Sequence, residues 1–189
     1  NANGNMGAYL SGTTRVSLSF YSMIKGNYRV RFTPVADAKG TGGAWVEALV
    51  GNVALYFKGN PLALNAVGQV PAGWKIVDAG EQKSAGPAGI GPRIFQFAGG
   101  DFSTGLYLRQ SDASKPGYAE FGSTWGYGFS LKQGSYVFSY NAVAWAGSPY
   151  LKCEVLDESN NVLGSQIIQC TKNVNKNTGA NTYGSNSGQ

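Results

Sequence analysis

Apolar and polar residues alternate along Arg15-Val16-Ser17-Leu18-Ser19-Phe20-Tyr21, which places Val16, Leu18 and Phe20 on one face. Tyr28-Arg29-Val30-Arg31-Phe32 repeats the pattern, and Lys25-Gly26-Asn27 between them reads as the connection. Period two is the mark of a strand with one face in the core. The same reading predicts a third strand over 44–50, after a Gly-rich loop at 39–43, and a fourth over 52–58, rich in Val, Leu, Tyr and Phe. Prolines and glycines then mark residues 59–73 and 79–92 as loops around a short strand at 74–77. Strands resume at 92–98, 105–109, 119–121, 127–131 and 135–145, the last with Tyr136, Phe138 and Tyr140 on one face. A closing hairpin over 150–157 and 162–170 turns at Glu158-Ser159-Asn160-Asn161, setting Cys153 opposite the neighbourhood of Gln166. No apolar stripe of helical period is sustained past two turns. The expected fold is all-β, a two-sheet antiparallel β-sandwich.

Composition agrees with this reading. The 189 residues are enough for one sandwich with a sizeable core, and 28 glycines with 13% charged residues suit short strands and tight turns. The expected organisation is one sandwich over 1–172, with an Asn/Gly/Ser-rich tail at 173–189 too polar to offset its own ordering entropy. The net charge of +5 is scattered, with no basic run that would mark a nucleic-acid surface, so no nucleic-acid partner is expected. No apolar stretch is long enough for a transmembrane helix, and the opening NANGNMG reads as a processed or excised segment. Trp45, Trp74 and Trp145 are expected in the core. Cys153 and Cys170 lack the spacing of a zinc site, and their disulfide state stays open.

Candidate catalytic chemistry is thin. The chain has no His, which removes Ser-His and Cys-His nucleophiles together with the commonest general base. Glu47, Asp101, Asp112 and Glu120 show no spacing that singles out a glycosidase pair. A polysaccharide lyase using Tyr107 or Tyr118 as base, with Arg93 or Arg109 neutralising a uronate, is a third-ranked reading. No Gly-rich phosphate loop follows a strand into a helix, and no cofactor is expected. A sugar site, by contrast, needs aromatic platforms beside hydrogen-bonding groups. Tyr118, Glu120, Trp125 and Tyr127 combine both around a turn-rich segment, and Arg109 and Asp112 precede a loop that adjoins it. These six are the candidate ligand-binding residues.

Two stretches carry a family resemblance. Gly128-Phe129-Ser130-Leu131-Lys132-Gln133-Gly134-Ser135-Tyr136-Val137-Phe138, followed by Ala144-Trp145-Ala146-Gly147-Ser148-Pro149-Tyr150-Leu151-Lys152, resembles the galactose-binding-like jelly-roll accessory modules of secreted glycan-degrading proteins of gut Bacteroidetes. The family order runs from a Gly-Trp strand (Gly73-Trp74 here) through Gly91-Pro92-Arg93-Ile94 to a final Trp-Val-Glu-Ala strand. Here the pieces like its last strands, 26–32 and 45–48, come first, as in a circular permutation. The resemblance implies a jelly roll, an extracytoplasmic location at the cell surface or in secretions, and a polysaccharide or oligosaccharide partner. It also raises a structural calcium held by Asp78, Glu81 or Asp101 through oxygen alone.

Residues 1–8 echo 173–180 at three Asn pairs and at Gly7/Gly179 and Ala8/Ala180. Two arrangements fit a rotated order with echoing ends. Residues 1–58 close onto 59–172 in one sandwich, or the chain straddles two tandem modules and exchanges strands with neighbouring copies. The expected function is a non-catalytic carbohydrate-binding module. The alternative is a structural spacer of a surface protein or fibre, self-associating through its terminal segments.

Overall fold

The computed structural model describes residues 14–23, 25–40, 46–62, 66–67, 70–71, 74–77, 93–95, 105–110, 118–121, 129–146 and 150–170. They form no helix. Fourteen strands follow one another: β1 (Thr14–Ser22), β2 (Gly26–Val35), β3 (Val46–Phe57), β4 (Asn60–Leu62), β5 (Ala66–Val67), β6 (Val70–Pro71), β7 (Trp74–Val77), β8 (Arg93–Phe95), β9 (Gly105–Gln110), β10 (Tyr118–Phe121), β11 (Phe129–Leu131), β12 (Gly134–Ala146), β13 (Tyr150–Leu156) and β14 (Val162–Gln169).

The strands build a two-sheet antiparallel β-sandwich, with β5 and β6 as a separate pair. The first sheet runs β1-β12-β3-β9-β8, and β4 pairs with β3 beyond the end of β9. The second runs β14-β13-β2-β10-β7, and β11 shares one edge of β2 with β10. Strands from the first third of the chain are thus interleaved with later ones in both sheets. β2 lies between β13 and β10, and β3 between β12 and β9.

Alternation explains the core. Val16, Leu18 and Phe20 of β1, Tyr28, Val30 and Phe32 of β2, and Tyr136, Phe138 and Tyr140 of β12 all face inward and are buried. Phe32 meets Tyr140 edge-on at 4.9 Å between centroids, joining the sheets through an aromatic contact worth about 0.5–1.5 kcal/mol beyond area burial. Cys153 and Cys170 are both buried as free thiols.

Two expectations are corrected by the pairing. The third and fourth strands are one strand, β3, with a register shift against β12 between Ser139 and Asn141. Asn52, at φ 51°, sits in this bulge. The extra residue changes the phase, so that Ala48 and Val50 face the core before it and Leu55 and Phe57 after it. The stretch 59–73, read as loop, contains β4, β5 and β6. Trp45 and the side chains of Trp74 and Trp145 lie outside the described residues.

Candidate functional site

The outer face of the first sheet is built by the polar half of the β1 alternation. With Val16, Leu18 and Phe20 committed to the core, Arg15, Ser17, Ser19 and Tyr21 are left exposed, and Tyr21 retains 46% of its surface. Antiparallel register extends this face across the sheet. Tyr21 lies opposite Ser135 of β12, Ser19 opposite Val137, Ser17 opposite Ser139 and Arg15 opposite Asn141. Val137 in turn lies opposite Tyr56 of β3. Hydroxyls, an amide, aromatic rings and a cation occupy these positions, and no carboxylate does.

At the Tyr21 end the face is concave. A depression of about 390 Å³ is lined by Ser19, Tyr21, Lys58, Gly59, Ser135 and Val137, with Phe20 and Tyr136 beneath. Its rim is fixed by local backbone chemistry. Lys58 (φ 47°) and Gly59 (φ 80°) both take the left-handed conformation of a two-residue type I′ hairpin, whose twist matches that of the strands it joins. The Lys58 amide donates to the Ser135 carbonyl at 3.4 Å, tying the β3–β4 turn to β12. Gly134, at φ 146°, lets β12 start beneath Phe57, where a Cβ would lie 2.6 Å from the ring. At the other end Arg15 spans three strands. Its Nη1 donates to the Asn52 carbonyl at 2.5 Å and to Asn141 Oδ1 at 2.9 Å, and its Nη2 donates to Ser139 Oγ at 2.5 Å. The bulge is held from outside by this guanidinium.

The outer face of the second sheet is an ion-pair network. Glu120 of β10 is in register with Arg31 of β2, and its carboxylate is 5% exposed. Glu120 Oε1 accepts from Arg31 Nε at 2.9 Å, Arg31 Nη2 at 2.6 Å and Arg29 Nε at 3.2 Å. Arg31 also lies 4.2 Å from the Tyr118 ring centroid, a cation–π contact. Arg29 continues to the β13–β14 turn, donating to the Asp157 carbonyl at 2.6 Å and to Asn160 Oδ1. Burial pushes the Glu120 carboxyl up. The hydrogen bonds and charge of Arg31, joined by those of Arg29, more than reverse this and hold it below the usual carboxylate value.

The six sequence-derived site residues divide accordingly. Tyr118 and Glu120 are neighbours on the second sheet, joined through Arg31. Arg109 lies on β9 of the first sheet, in register with Glu47. Asp112, Trp125 and Tyr127 lie outside the described residues, as do Asp78, Glu81 and Asp101. Of the residues weighed for lyase chemistry, Arg93 and Tyr107 are direct cross-strand partners in β8–β9, whereas Tyr118 belongs to the other sheet.

The described carboxylates with side-chain contacts are occupied structurally. Besides Glu120, Glu154 pairs with Lys152 at 2.7 Å, and Glu158 Oε1 accepts from the Asn27 amide at 2.9 Å. Asp157 Oδ1 accepts from the amides of Ser159 and Asn161, both at 2.8 Å, closing its turn. A general acid needs a carboxyl raised toward neutrality, the reverse of Glu120. Among the described residues no group of three His, Cys, Asp or Glu side chains could hold a metal.

Tyr21 and Lys58 did not emerge from the sequence as site residues, although part of the signal was present. Tyr21 is an aromatic on the polar phase of an amphipathic strand, a position that faces away from the core. Lys58 carries no such mark, because its place depends on pairing between β3 and β12. No protein-family model matches the chain, and no curated protein matches it.

Proposed function

We propose that this chain is a non-catalytic carbohydrate-binding module of an extracytoplasmic glycan-utilisation protein, and that the sugar seats on the outer face of the first sheet against Tyr21. The observation that carries the reading is the depression itself, with an exposed tyrosine at its rim and the hydroxyls of Ser19 and Ser135 in its lining. A pyranose offers an apolar C–H face and a ring of hydroxyls, and the two needs are met side by side here. Tyr21 and both serines project from paired strands rather than loops, so little conformational freedom is lost on binding. The resemblance to accessory modules of glycan-degrading proteins points the same way.

A second seat is supported by the Tyr118–Arg31 contact. The ring is held by a guanidinium that Glu120 holds in turn, which makes Tyr118 a fixed platform on the opposite sheet. Affinity electrophoresis through gels containing neutral and acidic polysaccharides separates the two. Tyr21→Ala should abolish retardation and Tyr118→Ala and Trp125→Ala should preserve it. The reverse pattern moves the site to the second sheet, and migration unaffected by every polysaccharide refutes the function.

A further inference from the structure

We infer that the Tyr21 depression takes a sugar bearing an anionic substituent, a carboxylate or a sulfate ester, with Lys58 as its counter-charge. The inference rests on the carbohydrate-binding reading and adds the substrate class.

Charge complementarity carries it. Among the described residues the lining contains one cation and no carboxylate, and the outward positions of β1 and β12 around it are Ser17, Ser19, Ser135, Val137 and Ser139. An anion seated there meets no like charge from the strands that form the floor. The availability of Lys58 is the second element. Arg29 and Arg31 are bound to Glu120, Lys152 to Glu154, and Arg15 to Asn52, Asn141 and Ser139. Lys58 forms no ion pair among the described residues, and its Nζ lies 5.4 Å from the Phe57 ring centroid.

Placement is the third. Tyr21 and Lys58 flank Ser135 on opposite sides, one by strand register and the other by a backbone hydrogen bond. Two strand spacings set their backbones ~10 Å apart. A sugar ring lying against Tyr21 and over the Ser135 hydroxyl therefore directs an exocyclic group to the ammonium. Lysine suits this role because its three donors rotate about a point charge, so planar carboxylate and tetrahedral sulfate are both accommodated.

The test uses the whole chain and defined oligosaccharides in matched pairs: a uronate oligosaccharide with its methyl ester, and a sulfated oligosaccharide with its desulfated parent. Titration calorimetry at low and moderate salt compares the wild type with Lys58→Asn, which removes the charge while supplying the residue most favoured before Gly in a type I′ turn. For an exposed pair the acid form should bind about two- to fivefold tighter than its neutral partner. That preference should weaken with salt and vanish in Lys58→Asn, whose thermal midpoint should be unchanged. Preference within the uronate pair alone identifies a carboxylate site, and within the sulfated pair alone a sulfate site. Equal binding of charged and neutral forms, or a preference that survives in Lys58→Asn, overturns the inference while leaving carbohydrate binding intact. Binding of none of the four sugars overturns both.

Discussion

Glu120→Gln isolates the network on the second sheet, because the amide keeps the shape of the carboxyl and removes its charge. In the native protein one carboxylate, 5% exposed, serves two guanidiniums that are 15% and 24% exposed. Breaking a fully buried pair costs about 3–5 kcal/mol, and an exposed pair contributes about 0.2–1 kcal/mol. With the acid buried and the arginines still reached by water, the expected loss lies between, at about 2–3 kcal/mol. For a chain of this length each kcal/mol moves the thermal midpoint by about 2–4 °C, so Glu120→Gln should melt about 4–12 °C lower at pH 7. The pH dependence has a fixed sign. Because the folded-state pKa of Glu120 lies below its ordinary value of 4.5, the unfolded chain binds more protons in that window. The stabilisation is therefore complete above the ordinary value and is lost as the pH falls through the folded one. Melts followed by circular dichroism should show the two proteins converging in acid. Equal midpoints at pH 7, or a gap that persists in strong acid, would show that the charge of Glu120 does not stabilise the fold.

Three further outcomes follow from the core. Among the described residues the buried Tyr140 hydroxyl makes no well-formed hydrogen bond and interacts only weakly with the Cys153 thiol, whereas Tyr28 bonds Ser22 at 2.9 Å and Tyr136 bonds the Lys132 backbone at 3.0 Å. In urea denaturation Tyr140→Phe should leave stability unchanged or raise it by up to about 1 kcal/mol, while Tyr28→Phe should lower it by about 0.5–1.5 kcal/mol. Gly134→Ala should cost about 1–3 kcal/mol by the same measurement, since φ 146° disfavours a side chain and Phe57 occupies its space. Burial raises the thiol pKa of Cys153 and pushes that of Cys170 up to about 12, so an aromatic disulfide reagent should find neither in the native protein and both after denaturation.

The strands were legible wherever alternation was uninterrupted. β1, β2 and β12 follow the period-two pattern, and the closing hairpin sets Cys153 opposite Gln166 as the turn position implies. Legibility failed where the pattern breaks without the strand ending. At Asn52 the phase slips by one residue, which in sequence looks like a boundary and in space is a bulge held by Arg15, 37 residues away. Strands of two or three residues, such as β5 and β6, are too short to show any period. Sequence alone offers Glu120 as a ligand group, and its arginine partners are invisible locally. Arg29 and Arg31 lie 91 and 89 residues distant and meet it only because β10 pairs with β2. Tyr118 and Glu120 do share a face, as their i, i+2 spacing requires, but Arg109 belongs to the other sheet, a placement that only the topology decides.

Amide chemical-shift mapping reports where on the sandwich the proposed sugar seat lies. Titrating the isotope-labelled protein with the oligosaccharide that calorimetry identifies should shift the amides of Ser19, Tyr21, Lys58, Gly59 and Ser135 together, leaving Arg31 and Glu120 in place. Shifts confined to residues 118–121 and their neighbours on the second sheet, or none at saturating sugar, would contradict the account.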